Sequence, residues 1–521
     1  MGILDNISFS LTDLTPARVL PILIGLYLLM FFIYYIRALQ PQQGTTEWIN
    51  MEVSTNRLTF LNRLYPMRSG DTATFVMLTI LFFFLAIFNI GDMRPVDVLG
   101  EIEFPSENRT HMNNMFFDEI YFVRTAAEHI VSVNPYEISH PPLGKEIIAA
   151  SMMFFGMSPL GWRLMGALFG VVMLMVMYVF AKNMFGKTIV ASCATMLFGF
   201  DFMRFVQTRI ATVDSFLILF ILLAFYFMYR HVTTDADDPF HKSLLPLALS
   251  GFFFGLSVAV KWIGFYAGVG LLIIYVIRLV QLGFHYSTTE KSGFGEYLRN
   301  TLLFSALFFV VIPAIIYYLT YIPYGLARGM TLSGGLLWDA GFIQLFWQNQ
   351  VSMFTYHSML TAEHPFSSVW WQWILNIRPI LYVNSAYGDL RASFGAFGNP
   401  VVWWGGFLAM IAMAIRVFTH KDGKALFILI GYLSQLLPWI AVPRILFAYH
   451  YFPSTLFLIL ALAHVFNTIR DRSITSGKPM IYGYVIVTCA VFAVFYPALS
   501  GVYLPHWYFS DFLRWFTTWP F

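Results

Sequence analysis

Two adjacent carboxylates, Asp118 and Glu119, lie among five apolar side chains in the stretch FFDEIYF (116–122). The surrounding segment has the periodicity of a short helix with one apolar face, and the pair falls near its start. Carboxylates in this position interact favourably with the positive end of the helix dipole, which would be a purely structural role. The chemical alternative is that one of them accepts the proton of a reacting hydroxyl group.

Basic and imidazole side chains form a second group of candidates. The stretch NPYEISHPPLGKE (134–146) has two prolines flanked by His140 and Lys145. Prolines restrict their own backbone and that of the preceding residue, so the stretch is rigid. It either positions both side chains or is a structural turn whose lysine reaches lipid headgroups. Ionisable residues at the ends of apolar spans are further functional candidates. They are Arg163, Arg209 and Asp214.

The candidates comprise an acidic pair and several cations at the membrane edge. This combination is typical of a site that transfers a group from a phosphate carrier dissolved in the membrane. The cations would hold the phosphate and stabilise the negative charge that develops on it, while a carboxylate takes the proton of the acceptor hydroxyl. A transporter is the rival class, and Lys261 is its best candidate residue. Transporters, however, typically have repeated halves with sites at the membrane midplane, and this sequence has no matching halves.

Long apolar segments must position these residues. Of the 521 residues, 58% are hydrophobic and only 11% are charged, which predicts an all-α polytopic membrane protein. The apolar runs predict about twelve transmembrane helices. Their centres lie near residues 28, 82, 172, 196, 221, 252, 270, 310, 408, 432, 456 and 489. The net charge of +3 is too small to indicate nucleic acid as a partner.

Charge predicts the orientation of the chain. Hydrophilic residues concentrate in two long segments, about 92–160 and 324–400, and 17 of the 31 lysines and arginines fall in the short connections on the other side. Positive short loops face the cytoplasm, so both long segments and both termini should face outward. The expected organisation is an extra N-terminal span with a cytoplasmic linker (1–72), a core with the first outer loop (73–323), the second outer loop (324–400), and C-terminal helices with a short outer tail (401–521).

The second outer segment is rich in tryptophan and histidine. Aromatic residues at a membrane surface commonly anchor the protein; the alternative is a lid that binds a sugar or an acceptor peptide and excludes water. The candidates for this role are His357, His364, Trp370, Trp371 and Arg378. Arg444, at the start of a later span, would hold the carrier phosphate or contact a lipid headgroup. His357, Glu363 and His364 lack the spacing of metal ligands, so neither a metal nor another cofactor is predicted.

The chain resembles the protein O-mannosyltransferase family of polyprenyl-phosphate-sugar-dependent glycosyltransferases, which have the GT-C membrane fold. The matching stretches occur in family order between about residues 116 and 454. They are FFDEIYF, HPPLGK, WRLMGALFG, RIATVDS, VKWIGFYAG, YHSMLTAEHPFSSVWWQWILNIRPILY and LPWIAVPRILFAYHYFPS. The resemblance implies metal-independent transfer, with inversion at the sugar carbon, from a polyprenyl-phosphate sugar to Ser or Thr hydroxyls of secreted or membrane proteins.

The resemblance also implies roles for individual residues. Asp118 would be the general base, and Glu119 would position the acceptor or the donor. Arg163 matches an arginine to which the family's function is sensitive. Together with the other candidates at the membrane edge, the expected carrier-phosphate and donor-binding residues are His140, Lys145, Arg163, Arg209 and Arg444.

Two departures from the family pattern affect the interpretation. Segment 324–400 is too short for the β-trefoil insertion of the eukaryotic enzymes, which indicates a prokaryotic-type enzyme of the plasma membrane with its site facing outside. An additional span at about 17–36 precedes the family's usual first helix. The acceptor stays open between a protein and a lipid or cell-wall polymer. The identity of the sugar, which is mannose in the family, and the oligomeric state are not determined by these residues.

Overall fold

Long apolar helices form most of the structure. The computed structural model describes residues 15–38, 69–88, 90, 115–290, 292–332, 335–472 and 477–521. The helices are α1 (Pro16–Ala38), α2 (Ser69–Ile87), α3 (Glu119–Ile130), α4 (Leu143–Phe155), α5 (Pro159–Phe185), α6 (Thr188–Gly199), α7 (Phe202–Gln207), α8 (Asp214–Val232), α9 (His241–Val260), α10 (Gly264–Thr288), α11 (Phe294–Ala306), α12 (Ile312–Leu319), α13 (Ile322–Ala327), α14 (Ala340–Met359), α15 (Trp370–Ile374), α16 (Pro400–His420), α17 (Gly423–Leu436), α18 (Phe452–Arg472), α19 (Gly477–Ser500) and α20 (His506–Tyr508). The strands are β1 (Ile380–Tyr387), β2 (Leu390–Ala396) and β3 (Leu504–Pro505).

The predicted fold class, an all-α polytopic membrane protein, is confirmed. Within the described residues, 11 helical segments are long and apolar enough to cross a membrane, and each contains one of the predicted centres. The twelfth prediction, centred near residue 196, falls on α6, which has only 12 residues. α7 follows after Asp201, whose side chain accepts a hydrogen bond from the Arg204 backbone N–H at 3.1 Å. A broken pair of short helices therefore occupies this position.

One helix forms the centre of the bundle. In the apolar segment Ala448–Asp471, which contains most of α18, 94% of the residues in an apolar 18-residue stretch are buried. The additional N-terminal span, α1, packs against the C-terminal part of its own chain, since the ring of Phe31 lies 5.9 Å from that of Phe466 and 4.9 Å from that of Tyr484. The linker predicted to follow α1 lies largely outside the described residues.

A small antiparallel sheet, which was not predicted from the sequence, joins two strands of the second outer segment to a short strand near residue 504. β1 and β2 form a hairpin, and β3 pairs with β2. Gly388 in the hairpin turn has a φ of +55°, the left-handed conformation that tight hairpin turns favour. The register of β1 shifts between Leu381 and Val383, so Tyr382 is the extra residue of a β-bulge.

Candidate active site

An unusual backbone conformation precedes the acidic pair. Phe117 has a φ of +48°, in the left-handed region that is strained for a bulky residue. Its ring is enclosed by other rings, with centroids 5.0 Å away for Tyr382, 5.9 Å for Phe447 and 6.1 Å for His364. Helix α3 begins two residues later. The packing of Phe117 thus fixes the backbone conformation just before Asp118 and Glu119. The two carboxylates that follow lie in different environments.

Glu119 is a buried structural carboxylate. Its Oε1 accepts hydrogen bonds from Arg163 Nε at 2.8 Å and from the Ala211 backbone N–H at 2.7 Å. Its Oε2 accepts from Arg163 Nη2 and from the Phe116 backbone N–H, both at 2.8 Å. Neither the Glu119 nor the Arg163 side chain is more than 1% exposed. The pair ties together α3, α5 and the segment before α8, so both charges are already engaged within the protein.

Asp118, in contrast, has a carboxylate that accepts no hydrogen bond from the described residues. Burial raises the pKa of Asp118 to about 7; Lys261 opposes the shift, whereas Asp214 and Glu137 add to it. A carboxylate with a pKa near neutrality is well matched to accept a proton from a substrate hydroxyl. Of the two acidic residues, Asp118 therefore has the properties of a general base.

Lys261 and Asp214 form an ion pair beside Asp118, with Nζ and Oδ1 3.0 Å apart. Asp214 is the first residue of α8, and Lys261 directly follows α9. The HPPLGK stretch approaches them closely because Gly144 has no side chain. A Cβ atom at Gly144 would lie 2.5 Å from Val213 Cγ1 and 3.3 Å from Val260 Cγ1. Glycine therefore permits α4 to start against the ends of α8 and α9.

Lys145 stabilises the loop between α3 and α4. Its ammonium group donates to Glu137 Oε2 at 2.6 Å, to the Glu137 carbonyl at 3.0 Å and to the His140 carbonyl at 2.8 Å. The other carboxylate oxygen of Glu137 lies 3.0 Å from His140 Nδ1. Burial alone would raise the pKa of Glu137, but Lys145 and His140 hold it well below its usual range. Because an ammonium group has three N–H donors, Lys145 has none left for a phosphate.

Helix α14 of the second outer segment covers this loop. Asn349 Nδ2 donates to the Ile138 carbonyl at 3.0 Å, and His357 Nε2 donates to the Ser139 carbonyl at 2.8 Å. The His357 ring lies 5.4 Å from that of His140. Burial is the main cause that lowers the pKa of His357 to about 4, and His140 and Arg444 contribute to the same shift. At neutral pH, His357 is therefore an uncharged hydrogen-bond donor that docks α14.

Arg444 is a half-buried cation near the C-terminal end of α14, where His357 lies. It makes no hydrogen bond or ion pair with any described residue, and it is close enough to Tyr356 and His357 to influence their titration. Other predicted cations are held by the protein. Arg209 donates to the Phe88 carbonyl at 2.5 Å, and Arg378 donates to the Pro365 carbonyl at 2.6 Å.

The remaining predicted residues of the second outer segment are divided between the site and the surface. The ring of His364 contacts that of Phe117, which adjoins Asp118. Trp370 is half-buried, and Trp371 is 46% exposed. Across the described ranges, no cluster of three or more His, Cys, Asp or Glu residues is arranged to bind a metal ion.

Asp214 was a functional candidate in the sequence and Lys261 a transporter-type candidate, but neither their ion pair nor a role for Tyr382 was predicted. Lys261 and Asp214 each lie at the end of an apolar span. Their opposite charges could have predicted the ion pair, since charges in such places are usually paired. Tyr382 carried no comparable signal because its position depends on a β-bulge.

Comparisons with known proteins agree with this fold. Residues 154–324 match the family model "Dolichyl-phosphate-mannose-protein mannosyltransferase", and residues 342–519 match "C-terminal four TMM region of protein-O-mannosyltransferase". A chain of the Saccharomyces cerevisiae protein O-mannosyltransferase Pmt1-Pmt2 complex, bound to the sugar donor, superposes with a TM-score of 0.75 at 12% identity. The match covers 92% of this chain and 97% of that chain.

The superposition shows that the chain has the GT-C fold, and the two family models place it among the membrane glycosyltransferases. Two bacterial relatives carry the name polyprenol-phosphate-mannose–protein mannosyltransferase. That of Corynebacterium glutamicum is 25% identical over 77% of this chain and 88% of its own, and that of Mycobacterium tuberculosis is 26% identical over 76% and 87%. Because the two family models together match more than half of the chain, it belongs to the protein O-mannosyltransferase family. Asp118 and His140 precede the first matched range.

Proposed function

We propose that this protein transfers mannose from a polyprenyl-phosphate carrier to Ser or Thr hydroxyls of secreted or membrane proteins. The observation that carries the proposal is the placement of Asp118, whose carboxylate lacks a hydrogen-bond partner among the described residues and has a pKa of about 7. Lys261 lies beside it. The names of the bacterial relatives supply the mannosyl donor and the protein acceptor.

In the proposed reaction, the acceptor hydroxyl oxygen forms a bond to the sugar C1 atom as Asp118 takes its proton. The bond from C1 to the phosphate oxygen breaks, and polyprenyl phosphate leaves with the bonding electrons. Attack from the side opposite the phosphate inverts the configuration at C1. Arg444 and Lys261 stabilise the negative charge that develops on the phosphate.

The other residues around Asp118 have positioning roles in this proposal. The ion pair between Glu119 and Arg163 fixes the start of α3 and hence Asp118. Lys145 fixes the loop that carries His140. Helix α14, docked through His357, closes the site against water, which would otherwise compete with the acceptor for the donor.

We further propose that the site faces the outside of a prokaryotic plasma membrane. The concentration of lysines and arginines in the short connections supports this orientation. The acceptors would then reach the site after crossing the membrane or while embedded in it.

The proposal is tested by reconstituting the purified protein in liposomes with radiolabelled polyprenyl-phosphate mannose and a mixture of bacterial secreted and membrane proteins. Alkali-labile label on Ser or Thr residues of protein is the expected result. Label transferred only to lipid or to a polymer would contradict the protein acceptor. Label that only crosses the liposome membrane would contradict transferase activity altogether.

A further inference from the structure

Two neutral polar side chains, Tyr382 near Asp118 and Gln207 facing Tyr382, each have a buried oxygen atom without a hydrogen-bond partner among the described residues. The hydroxyl of Tyr382 and the Oε1 atom of Gln207 are both buried, and neither bonds to any described residue. The Gln207 side chain faces the Tyr382 hydroxyl without reaching hydrogen-bonding geometry. Buried polar atoms are nearly always paired because leaving one unpaired is unfavourable, so these two need an explanation.

The fold holds the ring of Tyr382 and the backbone of Gln207 in place, and Gln207 is buried. Tyr382 is the bulged residue of β1, and bulges commonly redirect a side chain toward an active site. Its ring centroid lies 5.0 Å from that of Phe117 and 6.0 Å from that of Phe394. Gln207 ends α7, and its carbonyl accepts a hydrogen bond from Ser215 Oγ at 2.9 Å. The unpaired atoms are therefore not the result of loose packing.

Tyr382 lies beside the proposed catalytic carboxylate, and Gln207 faces the Tyr382 hydroxyl. Burial raises the pKa of Tyr382 well above its ordinary value, and the negative charges of Asp118 and Asp214 raise it further. The hydroxyl thus stays protonated at neutral pH and can both donate and accept hydrogen bonds. Gln207 adds an uncharged amide.

The site around Asp118 therefore contains two kinds of groups, one positively charged and the other uncharged. Lys261 and Arg444 supply positive charge suited to a phosphate, whereas Tyr382 and Gln207 supply uncharged hydrogen-bonding groups next to aromatic rings. Sugar rings carry several neutral hydroxyl groups and also have apolar C–H faces. The Tyr382 and Gln207 atoms therefore match the sugar of the donor and not its phosphate.

We infer that Tyr382 and Gln207 form the subsite that recognises hydroxyl groups of the donor sugar. This inference rests on the proposed transferase function and adds the specificity-determining residues to it. A site built to hydrogen-bond a hydroxyl discriminates strongly against an analogue that lacks it, because the protein groups are then left unpaired.

The test compares the mannosyl donor with a series of singly deoxygenated mannosyl donors, using wild type, Tyr382→Phe and Gln207→Met. Tyr382→Phe should lower kcat/KM for the full donor by about 10- to 100-fold. For one deoxy donor, Tyr382→Phe and wild type should have equal kcat/KM. That donor lacks the sugar hydroxyl to which the Tyr382 hydroxyl binds, so removing the Tyr382 hydroxyl has no further effect. A loss by the same factor on every donor, or no loss on any, would overturn the inference for Tyr382; the same comparison applies to Gln207→Met.

Thermal unfolding distinguishes recognition from a structural role. Tyr382→Phe should not lower Tm, because the removed hydroxyl has no partner in the described structure. Tyr432→Phe is the matched control: its hydroxyl lies 2.7 Å from that of Tyr451 in the core, so this variant should lower Tm while its preference among deoxy donors stays that of wild type. A drop in Tm for Tyr382→Phe as large as that of the control would contradict the inference.

A binding measurement separates failure of this inference from failure of the proposed function. A non-transferable phosphonate analogue of polyprenyl-phosphate mannose should raise the Tm of wild type and raise that of Tyr382→Phe less. If wild type transfers no sugar, the proposed function fails, yet the difference in binding still supports the subsite. Equal stabilisation of both proteins overturns the subsite even if transfer is observed.

Discussion

Glu119 and Arg163 are joined by two hydrogen bonds of 2.8 Å at a place where neither side chain is more than 1% exposed. Removing one partner leaves the other charge buried and uncompensated, which costs about 3–5 kcal/mol. Glu119→Gln and Arg163→Met should each lower both Tm and the rate of sugar transfer. Because they disrupt the same contact, the double variant should lose less stability than the sum of the single losses.

The exposed Glu363 supplies the control, since Glu363→Gln should leave Tm and transfer unchanged. If Arg163→Met had the Tm of wild type and only a raised KM for the donor, Arg163 would bind the donor directly. That result would refute the positioning role proposed for the ion pair.

Asp118→Asn should lower the transfer rate by about 10²- to 10⁴-fold, the usual contribution of a general base. The KM for the donor should change little because the amide keeps the shape of the carboxylate. At pH 8 the Tm of Asp118→Asn should be equal to or higher than that of wild type. The pKa of Asp118 is raised on folding, which means that burial disfavours the ionised carboxylate. The variant replaces this carboxylate with a neutral amide. Asp389→Asn, in the exposed hairpin turn, is the control. Transfer at the wild-type rate by Asp118→Asn would refute the assignment.

The pH dependence of transfer follows from the pKa of about 7 for Asp118. A base must be ionised to take a proton, so kcat/KM should be constant above this pH and fall about tenfold per pH unit below it. Burial is the main cause of this value, and Lys261, Asp214 and Glu137 are the charged groups that modify it. The residual activity of Asp118→Asn should lack the acidic limb. If the limb persisted in that variant, another group would be responsible for it.

Arg444→Ala should raise the KM for the donor by about 10- to 100-fold, the effect of losing a hydrogen bond to a charged group. Since Arg444 has no hydrogen bond or ion pair with the described residues, its Tm should remain that of wild type. Arg514→Ala, which removes an exposed cation near the C-terminus, should not change the KM. An unchanged KM in Arg444→Ala would exclude Arg444 from phosphate binding.

His357→Phe should loosen α14 from the loop that it covers, because the ring loses its 2.8 Å hydrogen bond to the Ser139 carbonyl. Water would then enter the site more often, so the ratio of free mannose released to mannose transferred should rise. Asn349→Leu breaks the neighbouring contact with Ile138 and should produce the same change. An unchanged ratio in both variants would argue against a role for α14 in excluding water.

The amino-acid sequence alone determined the membrane class and the positions of the spans. Hydropathy is read along the chain, and a span must be a continuous apolar run, so 11 of the predicted centres coincide with helices long enough to cross a membrane. At the centre near residue 196 the chain forms α6 and α7 and not one continuous helix, because apolar composition does not reveal where a helix is interrupted. The hairpin of the second outer segment was not predicted for a similar reason, since hydropathy indicates long apolar spans and not short strands.

Only the tertiary structure decided which carboxylate is available for chemistry. Asp118 and Glu119 are neighbours with the same functional group, and sequence gives each the same local surroundings. Their difference comes from partners 44 and 92 residues away, Arg163 and Ala211, which bind Glu119 and leave Asp118 near Lys261. The packing of helices distant along the chain sets such contacts, so the roles of the two acids follow from how those helices meet.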